Sequence, residues 1–369
     1  MKKIRYFLLF LALALLLAGA ASASDLQDVA SSQADALDGA GLEQAAGEYA
    51  PGQGFAPDID LDAGIQNILS TGSDRFPGAV RKAVHSGVIL LVIVLLCGLA
   101  DGMYGALGKT GLDVVAVAGA LAVAAVAVAD VNSLIGLGRE VLEDMETFSK
   151  VLLPTITAAA AASGSPGGAV ARQLATMLFS DLLLTLISRL LLPLVYVYVA
   201  ACTAYAALGN EGLKRISATL KWGVTLLLTT VLLVFVGYLT VSGVISGTAD
   251  AATIKAAKFT VSSVVPVVGS ILSDAAETVL AGAGILRNAV GVFGMLTVLG
   301  MCVVPFLYLG IHYLTYKAAA ALTATVSGGR VAGLIDNIGG AFGLVLGMTG
   351  ASALLLLISM VSAISVVTV

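Results

Sequence analysis

The sequence predicts an all-α fold, a polytopic bundle of membrane helices, and two observations lead to this fold class. Of the 369 residues, 59% are hydrophobic and only 11% are charged, with a mean hydropathy of +1.01. One water-soluble core cannot bury so much apolar surface. In addition, several apolar runs are long enough to cross about 30 Å of hydrocarbon as helices.

The composition and the residue pattern also argue against several classes of function. The formal net charge is -4 and Lys and Arg form no dense cluster, which argues against nucleic acid as a partner. Cys97, Cys202 and Cys302 all fall in apolar segments, so neither a disulfide scaffold nor a cysteine metal site is expected. The chain shows no catalytic triad, zinc cluster or phosphate loop. We therefore predict no enzyme activity, no catalytic residue, no metal and no cofactor.

Residues 1–23 are typical of a cleavable signal peptide. Basic residues precede the apolar run Phe7–Leu17, and Ala21-Ser22-Ala23 offers a cleavage site before Ser24. The alternative is a retained signal anchor. Residues 24–84 are predicted to be an acidic extracytoplasmic segment of short helices, because Ser24–Asp74 holds ten acidic residues and no Lys or Arg.

The multi-pass membrane domain is predicted to cover residues 85–369, with six to eight crossings. Its apolar runs, in chain order, are Ser86–Leu107, Val114–Val131, Gln173–Leu208, Gly223–Val244, Ala289–Tyr316 and a final span at about residues 340–367. The loop with Lys214, Arg215 and Lys221 is the clearest basic group, which places it in the cytoplasm.

Between the second and third runs, Asn132–Lys150 is amphipathic. Its apolar residues recur at helical spacing, while the charged residues lie mostly on the opposite side. Such a helix either lies on the membrane interface or packs against the bundle.

Prolines interrupt the apolar segments. We predict helix breaks at Pro154, Pro193 and Pro305, and a break at Pro266 with Gly269. Broken backbone at membrane depth persists only where protein or a water-lined cavity surrounds it. The passage around Pro266 is therefore the first candidate for a pathway or a partner-docking surface.

Charged residues bracket this passage and also occur within another apolar run. Lys255 and Lys258 precede Pro266, and Asp274 and Glu277 follow it. They indicate a polar pathway or docking face, or else they lie at the headgroup level and simply end the apolar segment.

Asp181 and Arg189, two helical turns apart, are predicted to face a neighbouring helix, with interfacial snorkelling as the alternative. His312, among Tyr308, Tyr313 and Tyr316, is predicted to be an interfacial neighbour of these aromatics rather than a proton relay.

An internal duplication is also indicated. A shift of 112 residues places Pro154 on Pro266, Pro193 on Pro305 and Tyr196 on Tyr308 without a gap. The repeat halves would be residues 87–208 and 223–320. If the basic stretches that follow each half are both cytoplasmic, the halves point the same way, although an inverted pair remains open.

Three stretches resemble the signature of the stage III sporulation protein AE family. They are Lys255-Ala-Ala-Lys-Phe, Val265-Pro-Val-Val-Gly-Ser-Ile-Leu-Ser-Asp-Ala and Leu286-Arg-Asn-Ala-Val-Gly, the last of which adds Arg287 to the candidate docking residues. The signal, the exported segment and the many spans match this family too.

The resemblance implies a subunit of the channel-like, secretion-like complex that endospore-forming bacteria build between mother cell and forespore. It implies a location in the outer forespore membrane and a need for the protein in forespore development and late forespore gene expression. The implied partners are a cytoplasmic ATPase, ring-forming proteins, other small membrane subunits and membrane lipid.

A second hypothesis, from another class, is a stand-alone secondary transporter that binds a small solute at the repeat interface. A transporter works without partners, whereas a platform subunit co-purifies with them.

Overall fold

In the computed structural model, residues 39–49, 59–105, 114–162, 167–241, 269–325 and 329–365 are described. Within these ranges the chain is helical and contains no strand. The helices are α1 (Gly39–Ala46), α2 (Leu61–Gly105), α3 (Val114–Ala162), α4 (Gly167–Leu186), α5 (Leu192–Leu208), α6 (Glu211–Val241), α7 (Gly269–Thr323) and α8 (Gly329–Ser365). A 3₁₀ turn, Gly47–Tyr49, follows α1, and a π-turn, Ile187–Leu191, joins α4 to α5.

The all-α fold class is confirmed. Among the described residues, six helical stretches are long and apolar enough to cross a membrane: Leu61–Ala100, Val117–Ala159, Leu178–Leu208, Glu211–Tyr238, Asn288–Thr323 and Arg330–Val361. This agrees with the lower end of the predicted six to eight crossings. The predicted signal peptide, residues 1–23, lies outside the described residues.

The centre of the bundle is the pair α7 and α8, with α2 and α3 packed along it and α5 and α6 on the other side. Tyr316 and Phe342 are fully buried where α7 meets α8, with ring centroids 5.1 Å apart. Gly138 of α3 lies so close to Val345 of α8 that an added Cβ would overlap the valine side chain. Lipid is as apolar as these side chains, so close packing of this kind holds membrane helices together.

The register between helices follows from their close contacts. Helix α2 runs parallel to α7, since Gly72 lies against Val303 and Gly87 against Thr315. Helix α3 runs parallel to α8, since Gly119 lies against Val331 and Gly138 against Val345. Helix α6 does so too, through Lys221 with Gly340 and Leu228 with Gly347.

The turn after α5 and the turn after α7 lie at the same end of the bundle. Helix α5 ends at Gly209, which has the left-handed φ of 67° that glycine adopts without strain. The Arg330 guanidinium at the start of α8 packs against this glycine. Both helices therefore run toward one end, as a parallel repeat requires, although the duplication itself stays a prediction.

The amphipathic segment Asn132–Lys150 is part of the long helix α3. Its apolar residues are buried in the bundle, and they are Leu134, Val141, Leu142, Met145 and Phe148. Of the two alternatives, packing against the bundle is the one observed.

Helix α2 begins well upstream of Ser86, the predicted start of the first membrane helix. Asp60 explains the start, because its Oδ1 accepts hydrogen bonds from the backbone N–H groups of Asp62 and Ala63 at 2.9 and 3.2 Å. The boundary expected between residues 84 and 85 therefore lies inside one helix.

The predicted helix breaks have different outcomes. Pro154 and Pro305 lie inside α3 and α7, and both helices continue through them. A proline removes one backbone donor, and neighbouring helices allow membrane helices to tolerate that loss. Just before Pro193, by contrast, the regular α-helix is interrupted by the π-turn. Pro266 lies outside the described residues.

Candidate functional site

A polar cluster lies inside the bundle where α2, α3 and α7 meet. The Tyr316 hydroxyl donates a hydrogen bond of 2.8 Å to Oδ2 of Asp130, joining α7 to α3. Asp130 is only 5% exposed and Tyr316 is completely buried. A buried carboxylate is costly unless it is hydrogen-bonded, and the phenol supplies that bond.

His312 lies one helical turn before Tyr316 and is also fully buried. Its Nδ1 is 2.8 Å from the carbonyl oxygen of Tyr308. A carbonyl only accepts, so Nδ1 carries the proton and a neutral ring leaves Nε2 as an acceptor. Nε2 is buried and, among the described residues, has no hydrogen-bond partner. Such an atom is available to a proton or to a ligand that donates a hydrogen bond.

The cluster reaches the surface of the bundle at Lys82 of α2 and Ser133 of α3, which are both exposed, and Lys82 Nζ donates to Ser133 Oγ at 3.0 Å. The His312 ring lies within electrostatic range of both Lys82 and Asp130. We call these five residues, Lys82, Asp130, Ser133, His312 and Tyr316, the central polar cluster. It holds a carboxylate, an imidazole and an ammonium group within one region of the bundle.

A second polar group lies at the π-turn. Pro193 has no N–H, and in a regular helix its ring would collide with the carbonyl of Arg189. The chain avoids this clash by a wider turn, in which the Leu192 N–H bonds to the carbonyl of Ile187, five residues back. Single π-turns inside helices are frequent at functional sites.

The π-turn brings Ser188 to Glu146 of α3. The Ser188 hydroxyl donates to Oε2 of Glu146 at 3.1 Å, and Lys150 Nζ bonds to Oε1 at 2.8 Å. Glu146 is 6% exposed and lies within electrostatic range of Arg189. We call Glu146, Lys150, Ser188 and Arg189 the π-turn cluster.

The end of the bundle that carries the turns after α5 and α7 is basic. Lys214 and Arg215 are exposed there, and Arg330 lies against the turn at Gly209. Lys317 pairs with Asp336 through a 2.7 Å contact between Nζ and Oδ1. We call this region the basic end. It concentrates positive charge on the surface that is predicted to face the cytoplasm.

Comparison with known proteins identifies the family. The family model described as Stage III sporulation protein AE matches residues 60–367, which is most of the chain. The chain belongs to the stage III sporulation protein AE family. It is also similar to Stage III sporulation protein AE from Bacillus subtilis (strain 168), with 24% identity over 204 residues.

That alignment covers 55% of this chain and 51% of the Bacillus protein, so it spans about half the length of the relative. No solved structure matches the chain. The match to the family model, residues 60–367, includes all of α2 through α8, and both polar clusters lie within it.

The residues that the sequence singled out around Pro266 are described only in part. Lys255, Lys258 and Pro266 lie outside the described residues. Gly269 is the first residue of α7, and the same helix carries Asp274, Glu277 and Arg287. Their role as a pathway or docking surface stays a prediction.

Asp181 and Arg189 are described, and the structure does not pair them with each other. Within the part of the chain that the structure describes, Oδ1 of Asp181 is buried without a hydrogen-bond partner, while Arg189 lies near Glu146. His312 is buried inside the bundle, between Tyr308 and Phe342, and its predicted depth at the membrane interface stays a prediction.

Sequence reasoning missed the part that Asp130 and Glu146 play. An aspartate inside the apolar run Val114–Val131 was a usable signal for a buried polar site. Glu146 was read as one of several charges on the outer side of an amphipathic helix, and nothing local marks it as buried.

Proposed function

We propose that this chain is an integral membrane subunit of the channel-like complex that forms between mother cell and forespore in endospore-forming bacteria. The observation that carries the proposal is the family match over residues 60–367. The six apolar helices support a multi-pass subunit. In this proposal the protein lies in the outer forespore membrane and is needed for late forespore gene expression.

The basic end supports an orientation for this subunit. Positively charged loops stay on the cytoplasmic side of a membrane, so the basic end faces the mother-cell cytoplasm. A cytoplasmic ATPase of the complex would meet the protein on this side, and Lys214 and Arg215 are exposed there. The ring-forming partners would meet the opposite side, which the N-terminal segment reaches after signal cleavage.

The test uses an endospore-forming host that lacks its own copy of the protein. We expect the wild-type chain to restore a late forespore reporter and to co-purify with the ATPase. The variant Lys214→Glu/Arg215→Glu should accumulate normally but lose the ATPase and the reporter signal. Its control, Lys214→Arg/Arg215→Lys, keeps both charges and should keep both functions.

If the chain restores the reporter without associating with any other subunit, the role as a complex subunit is wrong. If it associates but the charge-reversed variant still binds the ATPase, the basic end is not the docking surface.

A second candidate function is a stand-alone transporter for a small solute, and one observation favours it. The central polar cluster places Asp130, Tyr316 and the acceptor Nε2 of His312 inside the bundle, as a binding site for a proton-coupled solute would. Purified protein in liposomes should then move a solute, and Asp130→Asn should abolish this movement while the protein stays folded. Absence of transport by the purified protein leaves the subunit role alone.

A further inference from the structure

One side of the bundle carries a dense set of charges at a level where helices α6, α7 and α8 carry none. The α4 side holds Asp181 and the exposed Arg189 at this level. The contacts of Tyr313 with Gly343 and of Gly294 with Met360 set residues 294–313 of α7 beside 343–360 of α8. Neither stretch contains Asp, Glu, Lys or Arg, and neither does residues 224–241 of α6, which pack at the same level.

At this level α2 and α3 have the opposite character. Residues 64–82 of α2 lie beside residues 296–308 of α7, through Gly64 with Leu296 and Gly78 with Tyr308. Residues 138–152 of α3 lie there too, between the contacts of Gly138 and Leu152. The charged residues of these stretches are Asp74, Arg75, Arg81 and Lys82 on α2, and Arg139, Glu140, Glu143, Asp144, Glu146 and Lys150 on α3.

Most of these charges point away from the bundle. All four on α2 are exposed, and Arg139 and Glu143 pair with each other while their side chains remain 64% and 55% exposed. The bond from Lys82 to Ser133 joins the two helices at one end of this surface, and α1 packs against α3 farther along it. We call this surface the polar face.

A bilayer that covers the apolar stretches of α6, α7 and α8 would place the polar face against hydrocarbon. Exposed charges at that depth are too costly to persist, so the polar face must be wet or covered. The apolar run of α2 that begins at Ser86 lies at a different level of the bundle. Its Cys97 packs against Gly119, which also contacts Val331 at the start of α8, toward the basic end. One flat bilayer therefore cannot cover both this run of α2 and the apolar stretches of α6, α7 and α8.

The charges on the two helices are complementary. The α2 stretch has three basic residues and one acidic residue. On α3, Glu146 and Lys150 pair with each other at the π-turn, and the other charged residues of the stretch are three acidic and one basic. A contact between the α2 edge of one copy and the α3 edge of another pairs these signs. Such a contact joins two different surfaces of the same chain, and contacts of this type close into rings when the rotation allows.

We propose that copies of this chain associate in the membrane through the polar face and enclose a water-filled space that this face lines. The basic α2 edge of one copy lies against the acidic α3 edge of the next. The inference goes beyond the proposed function and does not depend on a role in sporulation, because it rests on the bundle alone.

The first experiment measures water access in proteoliposomes. Single cysteines are placed at Glu143→Cys and at Leu233→Cys in a background without Cys97, Cys202 and Cys302. Leu233 is the matched control: it is 66% exposed on α6, and it lies five residues beyond the contact of Leu228 with Gly347, as Glu143 lies five residues beyond that of Gly138 with Val345.

With a charged, membrane-impermeant thiol reagent on both sides, Glu143→Cys should react about tenfold faster or more than Leu233→Cys. Equal reaction at both positions, fast or slow, overturns the proposal.

The second experiment tests the partner. Two differently tagged copies, one with Arg81→Cys and one with Glu140→Cys, are co-expressed and oxidised in the membrane. We expect a disulfide between the two tags, and none when Leu233→Cys replaces either cysteine. Rapid labelling of Glu143→Cys without cross-linked copies means that something else covers the face, and it overturns the self-association.

If the cysteine variants fail to accumulate, the number of copies per complex is measured instead, by stepwise bleaching of fluorescently tagged wild-type chains. More than one chain per complex is expected, and a single chain overturns the proposal.

Discussion

Each of the two polar clusters stabilises a buried carboxylate, but the partners that do so differ. Each places a carboxylate of α3 against another helix, Asp130 in the central polar cluster and Glu146 in the π-turn cluster. Asp130 is held by a buried phenol of α7, whereas Glu146 is held by Ser188 and by Lys150, whose side chain is 54% exposed. The comparison indicates that the central polar cluster depends on partners distant in sequence, while the π-turn cluster has one partner on its own helix.

The largest expected effect follows from removing the partner of Asp130. Tyr316→Phe keeps the ring packed on Phe342 but removes the donor, so a buried carboxylate loses its hydrogen bond. We expect a loss of about 2 to 3 kcal/mol in the free energy of unfolding, measured in mixed micelles.

The control is the double variant Asp130→Ala/Tyr316→Phe, compared with Asp130→Ala alone. When the carboxylate is absent, the tyrosine hydroxyl has little left to stabilise, so the second substitution should cost much less. Equal costs in both backgrounds would show that the hydrogen bond is not the source of the effect.

A smaller effect is expected in the π-turn cluster. Ser188→Ala removes one of the two partners of Glu146, while Lys150 still neutralises its charge. We expect a loss of about 1 kcal/mol, in the range of an ordinary hydrogen bond. Thr185→Ser, three residues earlier on α4 and outside the cluster, is the control. A loss as large as that of Tyr316→Phe would contradict the difference between the clusters.

Pro193 gives a sharper test of the same cluster. Pro193→Ala restores a backbone donor and removes the clash that favours the π-turn, so the chain can return to a regular helix. Ser188 would then no longer face Glu146. In this background we expect Ser188→Ala to leave the free energy of unfolding almost unchanged. The coupling energy between the two sites would then be about 1 kcal/mol. Simple additivity of the two substitutions would mean that the π-turn does not depend on the proline.

The residues of these clusters show what sequence alone can predict. Helical spacing placed Leu134, Val141 and Phe148 on one face of a helix, because periodicity reports which residues share a face. Whether that face met the membrane interface or the bundle was left open by the sequence. The partner of Asp130 lies 186 residues away in the chain, and no local pattern marks such a pair. The neighbouring tyrosines suggested an interface for His312, but Tyr316 and His312 share a helix face that turns toward Phe342. Pro193 was recognised as a break, while the form of that break depends on the contact with α3.

The smallest effect is expected outside both clusters, on the polar face. Arg139 and Glu143 form an exposed pair with a 2.8 Å contact between Nε and Oε1. If water lines this face, Arg139→Gln should leave unfolding in a bilayer unchanged within error, because solvent screens the charge that stays on Glu143. If lipid covers the face, the same variant leaves a bare carboxylate in hydrocarbon and should be strongly destabilised. A clear destabilisation of Arg139→Gln in bilayers, but not in detergent, would therefore contradict a water-lined face while leaving the difference between the two clusters intact.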